Sequence, residues 1–161
     1  MFPINILDHE PNNDPFYRKI AMPEKILAAI DIGAGQGAKF GLFSTTKTCF
    51  AEALLPNHSY GETVEEIAHS MVDQVDRMLK DNQLTRSQVS AIGVASPGLF
   101  CSDGTYLLAD NIPALTGHNL KEMIQDLSGL PVAIDNDANA GGLAEWEVLW
   151  VEVLYWVFGG G

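Results

Sequence analysis

Residues 133–142 read Ala133-Ile134-Asp135-Asn136-Asp137-Ala138-Asn139-Ala140-Gly141-Gly142, an apolar run that meets carboxylates and amides and then passes into small residues. Val132, Ala133 and Ile134 have the character of a buried strand end, and Asp135 or Asn136 can cap a helix that continues through Ala144 and Trp146. Polar side chains are thereby held at the carboxyl end of a strand, the edge of an open α/β sheet where ligands bind. Asn136 and Asp137 are candidates for touching a substrate. The same pair is also what an ordinary helix cap looks like, so on this stretch alone both readings stay open.

Outward from it, Pro131 opens the strand, and Gly129 closes a helix that Asn119 caps and that runs through Leu127. Residues 89–95 are nearly uninterrupted in apolar character and end in Ser96-Pro97-Gly98, the pattern of a strand covered on both faces. Asp103-Gly104 punctuates a hairpin between Leu99-Phe100 and Tyr106-Leu107-Leu108, and residues 109–113 form a polar loop. Over 62–79, Val64, Ile67, Ala68, Met71, Val75, Met78 and Leu79 step by three and four and line one helix face. Glu65, Glu66, Asp73, Asp76 and Arg77 lie on the other side, a solvated face. Three apolar segments at 25–33, 40–43 and 48–54 are joined by connections too short for crossovers, which predicts an antiparallel meander.

The ends differ from this centre. Residues 1–24 carry Pro3, Pro11, Pro15 and Pro23 among Asn and Asp, the composition of an extended arm without chemistry. Residues 148–158 are apolar apart from Glu152, shorter than the ~20 residues of a membrane helix, and read as a buried strand. Left uncovered, that strand would pair with a second copy to give a homodimer, or aggregate. Gly159, Gly160 and Gly161 then announce a turn into further structure, so a second lobe is expected to begin there. The class is α/β: a mixed sheet with antiparallel hairpin strands followed by parallel strands and flanking helices.

At 161 residues the chain suits one domain with a sizeable core. Its 21 acids outweigh 9 bases to give a formal charge of −12, which repels a phosphate backbone and argues against nucleic acid as a partner. An anion such as ATP would be held by backbone N–H groups, one or two lysines and a metal ion. Cys49 and Cys101 form no CxxC and no His/Cys pattern, so neither a zinc site nor a disulfide framework is indicated and a reducing compartment fits. Asp8, Glu10 and Asp14 stand where a signal peptide would be basic and then apolar, so no export is implied and a cytoplasmic location without membrane attachment is expected.

A second polar stretch is the glycine-rich turn Asp31-Ile32-Gly33-Ala34-Gly35-Gln36-Gly37-Ala38-Lys39. Glycines let backbone N–H groups approach phosphate oxygens, and an acid at a strand end can hold hydrated magnesium. It is neither a Walker A loop, which needs Gly-Lys-Ser/Thr, nor a dinucleotide fingerprint, because a strand follows it. A hairpin that needs glycines to turn is an equal alternative.

With these segments in hand, the chain resembles the ROK family of bacterial sugar kinases, repressors and related reading frames, within the actin/hexokinase/Hsp70 superfamily. Residues 30–35 resemble that family's first phosphate loop, and residues 92–98 its Gly-Val-x-x-Pro-Gly strand end. Residues 135–140 are similar to its Glu-Asn-Asp-Ala-Asn-Ala, and the order and spacing match as well. The resemblance implies an actin-like, ribonuclease H-like ATPase lobe over residues 25–146 and the start of a carboxyl-terminal lobe over 147–161. It implies an ATP-dependent hexose kinase with ATP and Mg2+ as cofactors, in which the catalytic base is Asp137 and the sugar is held by Gly98, Asn111 and Asn136. Nucleotide phosphate and magnesium would fall to Asp31, Gly33, Gly35, Lys39, Gly159 and Gly160. The family's adenosine pocket and His/Cys zinc segment would lie beyond these residues, leaving the 161-residue chain inactive by itself.

The family usually has Asp-x-Gly-Gly-Thr-Lys in the first loop, where this chain has Ala34-Gly35-Gln36 and one extra residue before Lys39. That difference motivates the alternatives of a sugar-responsive ROK regulator without enzymatic activity or a degenerate sugar-binding domain. ROK repressors carry a winged helix-turn-helix upstream, for which residues 1–24 are short and proline-rich. Gly141 and Gly142 stand where alanines are commoner, at a cost of about 1 kcal/mol each in a helix interior, and close backbone packing is the expected reason.

Overall fold

The computed structural model describes residues 25–149, apart from Ala34, Gln36 and His58. The proline-rich arm and residues 150–161 lie outside the described residues, while Val148 and Leu149, expected to open a strand, end the last helix instead. Strand β1 (Ile26–Gly33) alternates buried Ile26, Ala28, Ile30 and Ile32 with exposed Leu27 and Asp31, the period of two that a one-sided core imposes. The chain reverses between the paired residues Gly33 and Gly37 into β2 (Gly37–Ser44), then again into β3 (Cys49–Leu55). Strand β2 starts three residues before the expected 40, because Gly37 has φ +96° and is already in the ladder.

Helix α1 (Val64–Asp81) buries the predicted stripe and Val72 with it. Its start is a capping box: the Thr63 hydroxyl accepts from the Glu66 N–H at 3.2 Å, and the Glu66 carboxylate accepts from the Thr63 N–H at 3.2 Å. Strand β4 (Val89–Ser96) follows, then a small hairpin of β5 (Leu99–Phe100) and β6 (Tyr106–Leu108) about Asp103-Gly104. The loop after β6 is less polar inside than its sequence suggests, since Ala109, Ile112 and Leu115 are buried. Helix α2 (Leu120–Ser128) has Asn119 accepting from the Glu122 N–H at 3.0 Å, and left-handed Gly129 ends it. Strand β7 (Val132–Asn136) leads directly into helix α3 (Asp137–Leu149).

The sheet order is β3-β2-β1-β4-β7, with β2 antiparallel to β1 and β3, while β1, β4 and β7 run parallel. This mixed sheet is the expected one. Helices α1 and α2 meet over one face, where Ile30, Ile32, Ile67, Met71, Ile92 and Ile124 share one core. Arg86 ties the two helices together: its Nε donates to Asp76 at 2.7 Å, and one terminal nitrogen donates to the Leu127 and Ser128 carbonyls at 3.1 and 3.0 Å. It satisfies carbonyls that the end of α2 leaves without helical partners.

Two expectations are corrected. Strand β4 is covered on one face only among the described residues: Ile92, Val94 and Ser96 are buried, whereas Gly93 is exposed and Ala91 and Ala95 are half-buried. Alanine and glycine made an alternating strand look uniformly apolar. The glycine at 141 does not serve close packing either, since a Cβ there would meet nothing within 4 Å. No helix of the described residues is long and apolar enough to cross a membrane.

Two glycine-to-alanine changes should therefore move stability in opposite directions. Gly141→Ala removes the glycine penalty in a helix and should stabilise the fold by up to about 1 kcal/mol. Gly37→Ala would place a Cβ 2.0 Å from the Leu55 carbonyl at a left-handed φ and should cost at least about 2 kcal/mol. Urea unfolding midpoints of the two variants check both signs.

Candidate functional site

The parallel strands bring polar residues to one edge of the sheet. Asp31 is in register with Ala95, and Ala95 with Asp135, so the two carboxylates stand at the carboxyl ends of β1 and β7 with β4 between them. At the usual strand spacing their Cα atoms are about 10 Å apart. Asn136, opposite Ser96, closes β7, and its side chain is used at both ends. Its Oδ1 accepts from the N–H groups of Ala138 and Asn139 at 2.9 and 3.4 Å, and its Nδ2 donates to the Gly98 carbonyl at 3.0 Å. The capping reading is thus what Asn136 Oδ1 does, while one Nδ2 proton stays available to a ligand. Asp135 braces the same turn, accepting from the Asn136 N–H at 2.7 Å and from Asn139 Nδ2 at 3.0 Å.

Asp137 is the first residue of α3 and is exposed. One of its oxygens accepts from the Ala138 N–H at 2.8 Å, and the helix dipole favours a negative charge there. It borders a cavity of about 500 Å3 that is also lined by Asp31, Ala95, Gly141, Gly142 and Glu145. Glu145 is absent from the sequence-based site, yet 137, 141 and 145 are four apart and so share a helix face. Three carboxylates and small side chains around one hollow disfavour a bare anion. They suit a neutral ligand rich in hydroxyls, and phosphate only where a cation bridges.

Gly98 is held against the hairpin: at φ +142°, a Cβ would come 2.9 Å from the Leu108 carbonyl and 3.1 Å from the Tyr106 ring. Below it the Ser96 and Tyr106 hydroxyls are buried, and neither makes a well-aligned hydrogen bond. Burial pushes the Tyr106 hydroxyl up to about 12, a shift that neighbouring Ser96 partly eases. Lys39 is directly across from Asp31 on β2, and both are exposed at the sheet edge. Gly33 and Gly35 are in the turn beside them. Asn111 is exposed in the loop after β6 and lines neither this cavity nor the trough beside it, so the structure does not bring it together with Asn136 and Asp137. Gly159 and Gly160 fall outside the described residues.

Comparison with known proteins gives this arrangement a family. The model of the ROK family matches residues 27–149. A beta-glucoside kinase of Listeria monocytogenes is 34% identical over 124 residues, which are 74% of this chain and 37% of the relative. A xylose repressor of Caldicellulosiruptor bescii is 34% identical over 99 residues, 60% of this chain and 25% of the relative. The solved inorganic polyphosphate/ATP-glucomannokinase of an Arthrobacter strain superposes with a TM-score of 0.63 at 27% identity, over 75% of this chain and 47% of that one. The chain thus spans a quarter to about two fifths of the length of the curated relatives it matches.

Asn136 can be dissected by two variants. Asn136→Ala loses both the helix cap and the tie to Gly98, and should cost about 1–2 kcal/mol in urea unfolding. Asn136→Asp keeps an accepting oxygen but loses the donor to Gly98, and should recover most of that cap contribution. The buried hydroxyl gives a pH signature. A folded-state value near 12 against 10 for an exposed tyrosine leaves stability intact below pH 10, and stability then falls as pH rises from 10 to 12. Tyr106→Phe should remove about 2 kcal/mol of that alkaline loss in unfolding measured across this window.

Proposed function

The chain belongs to the ROK family, and from that premise we propose that it supplies the sugar-binding and proton-accepting part of an ATP-dependent hexose kinase. The observation that carries this reading is Asp137, exposed at the start of α3 and facing a hollow large enough for a hexose. In the reaction, a sugar hydroxyl oxygen forms a bond to the γ-phosphorus while the bond from that phosphorus to the bridging oxygen breaks. ADP leaves, and the hydroxyl proton passes to the Asp137 carboxylate. Transfer of this kind depends mainly on positioning and on neutralising charge. Asn136, next to Asp137 in the chain and bonded to the Gly98 carbonyl at 3.0 Å, is assigned to the sugar's hydroxyls with Gly98 and Asn111, although none of the three lines the cavity.

Asp31 fits a magnesium ion, because magnesium takes one or two carboxylates and fills its remaining positions with phosphate oxygens and water. When bound, the ion neutralises phosphate charge that the acidic cavity would otherwise repel. Lys39, across from Asp31, and the turn at Gly33 and Gly35 would meet the same phosphates. Complete catalysis calls on polypeptide beyond the matched residues 27–149. A second reading, a regulator that binds sugar without transferring phosphate, is favoured by the repressor relative. The two share the sugar site and differ in turnover.

An ATPase assay across a hexose panel separates them by the presence of sugar-dependent turnover. In an active protein Asp137→Asn should lower turnover by roughly 10²–10⁴-fold, the usual contribution of a general base. Its urea midpoint should fall only slightly, since exposed Asp137 loses no more than the helix-dipole contribution of about 0.3–1 kcal/mol. Undiminished phosphorylation by that variant would remove Asp137 from the base role.

A further inference from the structure

Tyr106 and Ser96 carry buried hydroxyls that no hydrogen bond among the described residues satisfies. Tyr106 is 1% exposed and Ser96 is fully buried. A buried hydroxyl without a partner weakens a fold, and phenylalanine and alanine would fill the same two positions without that cost. Local rules broken in this way mark places where a sequence serves something other than stability. Their location says what is served. Ser96 ends β4 in register with Asn136, and just beyond Pro97 stands Gly98, whose carbonyl accepts from Asn136 Nδ2 at 3.0 Å.

Ser96, Pro97 and Gly98 move as a unit, because proline fixes its own φ and restricts the residue before it. Tyr106 meets this unit at both ends. A Cβ on Gly98 would come within 3.1 and 3.2 Å of the ring's Cδ1 and Cε1, and the Tyr106 hydroxyl neighbours that of Ser96. The ring alone touches the unit at Gly98; the hydroxyl adds a second point at Ser96, and two points fix an orientation that one leaves free to rock. The tyrosine is itself firmly held. Its N–H donates to the His118 carbonyl at 3.0 Å, its carbonyl accepts from the Gly117 N–H at 2.8 Å, and its ring packs on Phe100 with centroids 4.3 Å apart. The bond to Gly117 also closes the loop that carries Asn111.

Resting on the sugar reading above, we propose that Tyr106 is a positioning residue for the sugar site. With the Ser96 hydroxyl it sets where the Gly98 carbonyl holds Asn136, and so where Asp137 stands at the cavity. Removing the hydroxyls alone separates this role from a contribution to the core. In the 161-residue chain at pH 7, Tyr106→Phe and Ser96→Ala should each keep or raise the urea midpoint. In the same variants the Asn136 side-chain amide should exchange with water roughly three- to tenfold faster, the worth of about one hydrogen bond, and D-glucose and D-mannose affinity should fall by a similar factor. In the Asn136→Asp background Tyr106→Phe should add no further loss of affinity, because the bond through which it acts is already gone. A lowered midpoint in both variants would assign the hydroxyls to the fold, and unchanged Asn136 exchange in both would show that they do not reach it; either result overturns the proposal. So would unchanged affinity, or an additive loss in the double variant, where the unaltered chain binds a hexose. Absence of hexose binding by the unaltered chain would count against the sugar reading instead, and Asn136 exchange would still decide whether Tyr106 positions it.

Discussion

Much of this structure depends on one amide. A helix that starts directly from a strand leaves its first N–H groups without helical partners, and they must be satisfied where strand and helix join. Asn136 accepts from two of them through Oδ1 and donates to the Gly98 carbonyl through Nδ2. A serine or threonine could cap but could not also reach across as an amide does, and an ionised aspartate has no proton to donate. The start of α3 is thereby fixed to the end of β4, and Asp137, one residue on, is presented to the cavity by a clamped backbone. Gly98 completes the clamp because the β5–β6 hairpin leaves no room for a Cβ.

The two faces of the sheet follow from the same alternation along each strand. Isoleucine, valine and leucine point toward α1 and α2, where Ile26, Ile32, Leu42 and Ile92 are buried almost completely. Ala29, Gly41, Gly93, Ala95 and Ala133 point away with Phe43 and Leu54, and the acids Asp31 and Asp135 stand at the carboxyl ends of that second face. Both the 500 Å3 cavity and the trough include Asp31, Ala95 and Ala140, so the chemistry and the uncovered face meet at one edge. With Glu145 added to Asp31 and Asp137, that edge is acidic and disfavours a bare anion, in keeping with the chain's charge of −12.

How far the residues announced this depends on the range of the interaction. The helix over residues 64–81, the Asn119 and Gly129 caps and the Asp103-Gly104 hairpin were legible, because each rests on neighbours within one or two turns of chain. The Thr63–Glu66 capping box was equally local and went unread, hidden behind a helix start placed two residues too early. The bond from Asn136 to Gly98 spans 38 residues, and those from Arg86 to the end of α2 span more than 40, so no local pattern signals either. The sheet face left uncovered among the described residues was missed for a different reason: alanine and glycine count as apolar in a pattern yet fill little space. Glu145 could have been found by stepping four and eight residues from Asp137 along the helix.

On the proposed reading, the difference between a kinase and a sugar sensor built on this lobe would lie in the turn between β1 and β2. The proposed sugar site comprises the cavity at α3, whose lining includes Asp31 just before that turn, together with Asn136 and Gly98. Phosphate transfer adds a second demand, that backbone N–H groups and a cation stand beside Asp31. Here Gly33 and Gly37 are paired across the hairpin, so the turn spends them on strand geometry, and Gly37 is bound there by its left-handed backbone and the nearby Leu55 carbonyl. What remains for phosphate is exposed Gly35, Lys39 opposite Asp31, and the magnesium that Asp31 can carry. A chain could therefore lose transfer by changes confined to residues 33–39 while keeping its sugar pocket intact.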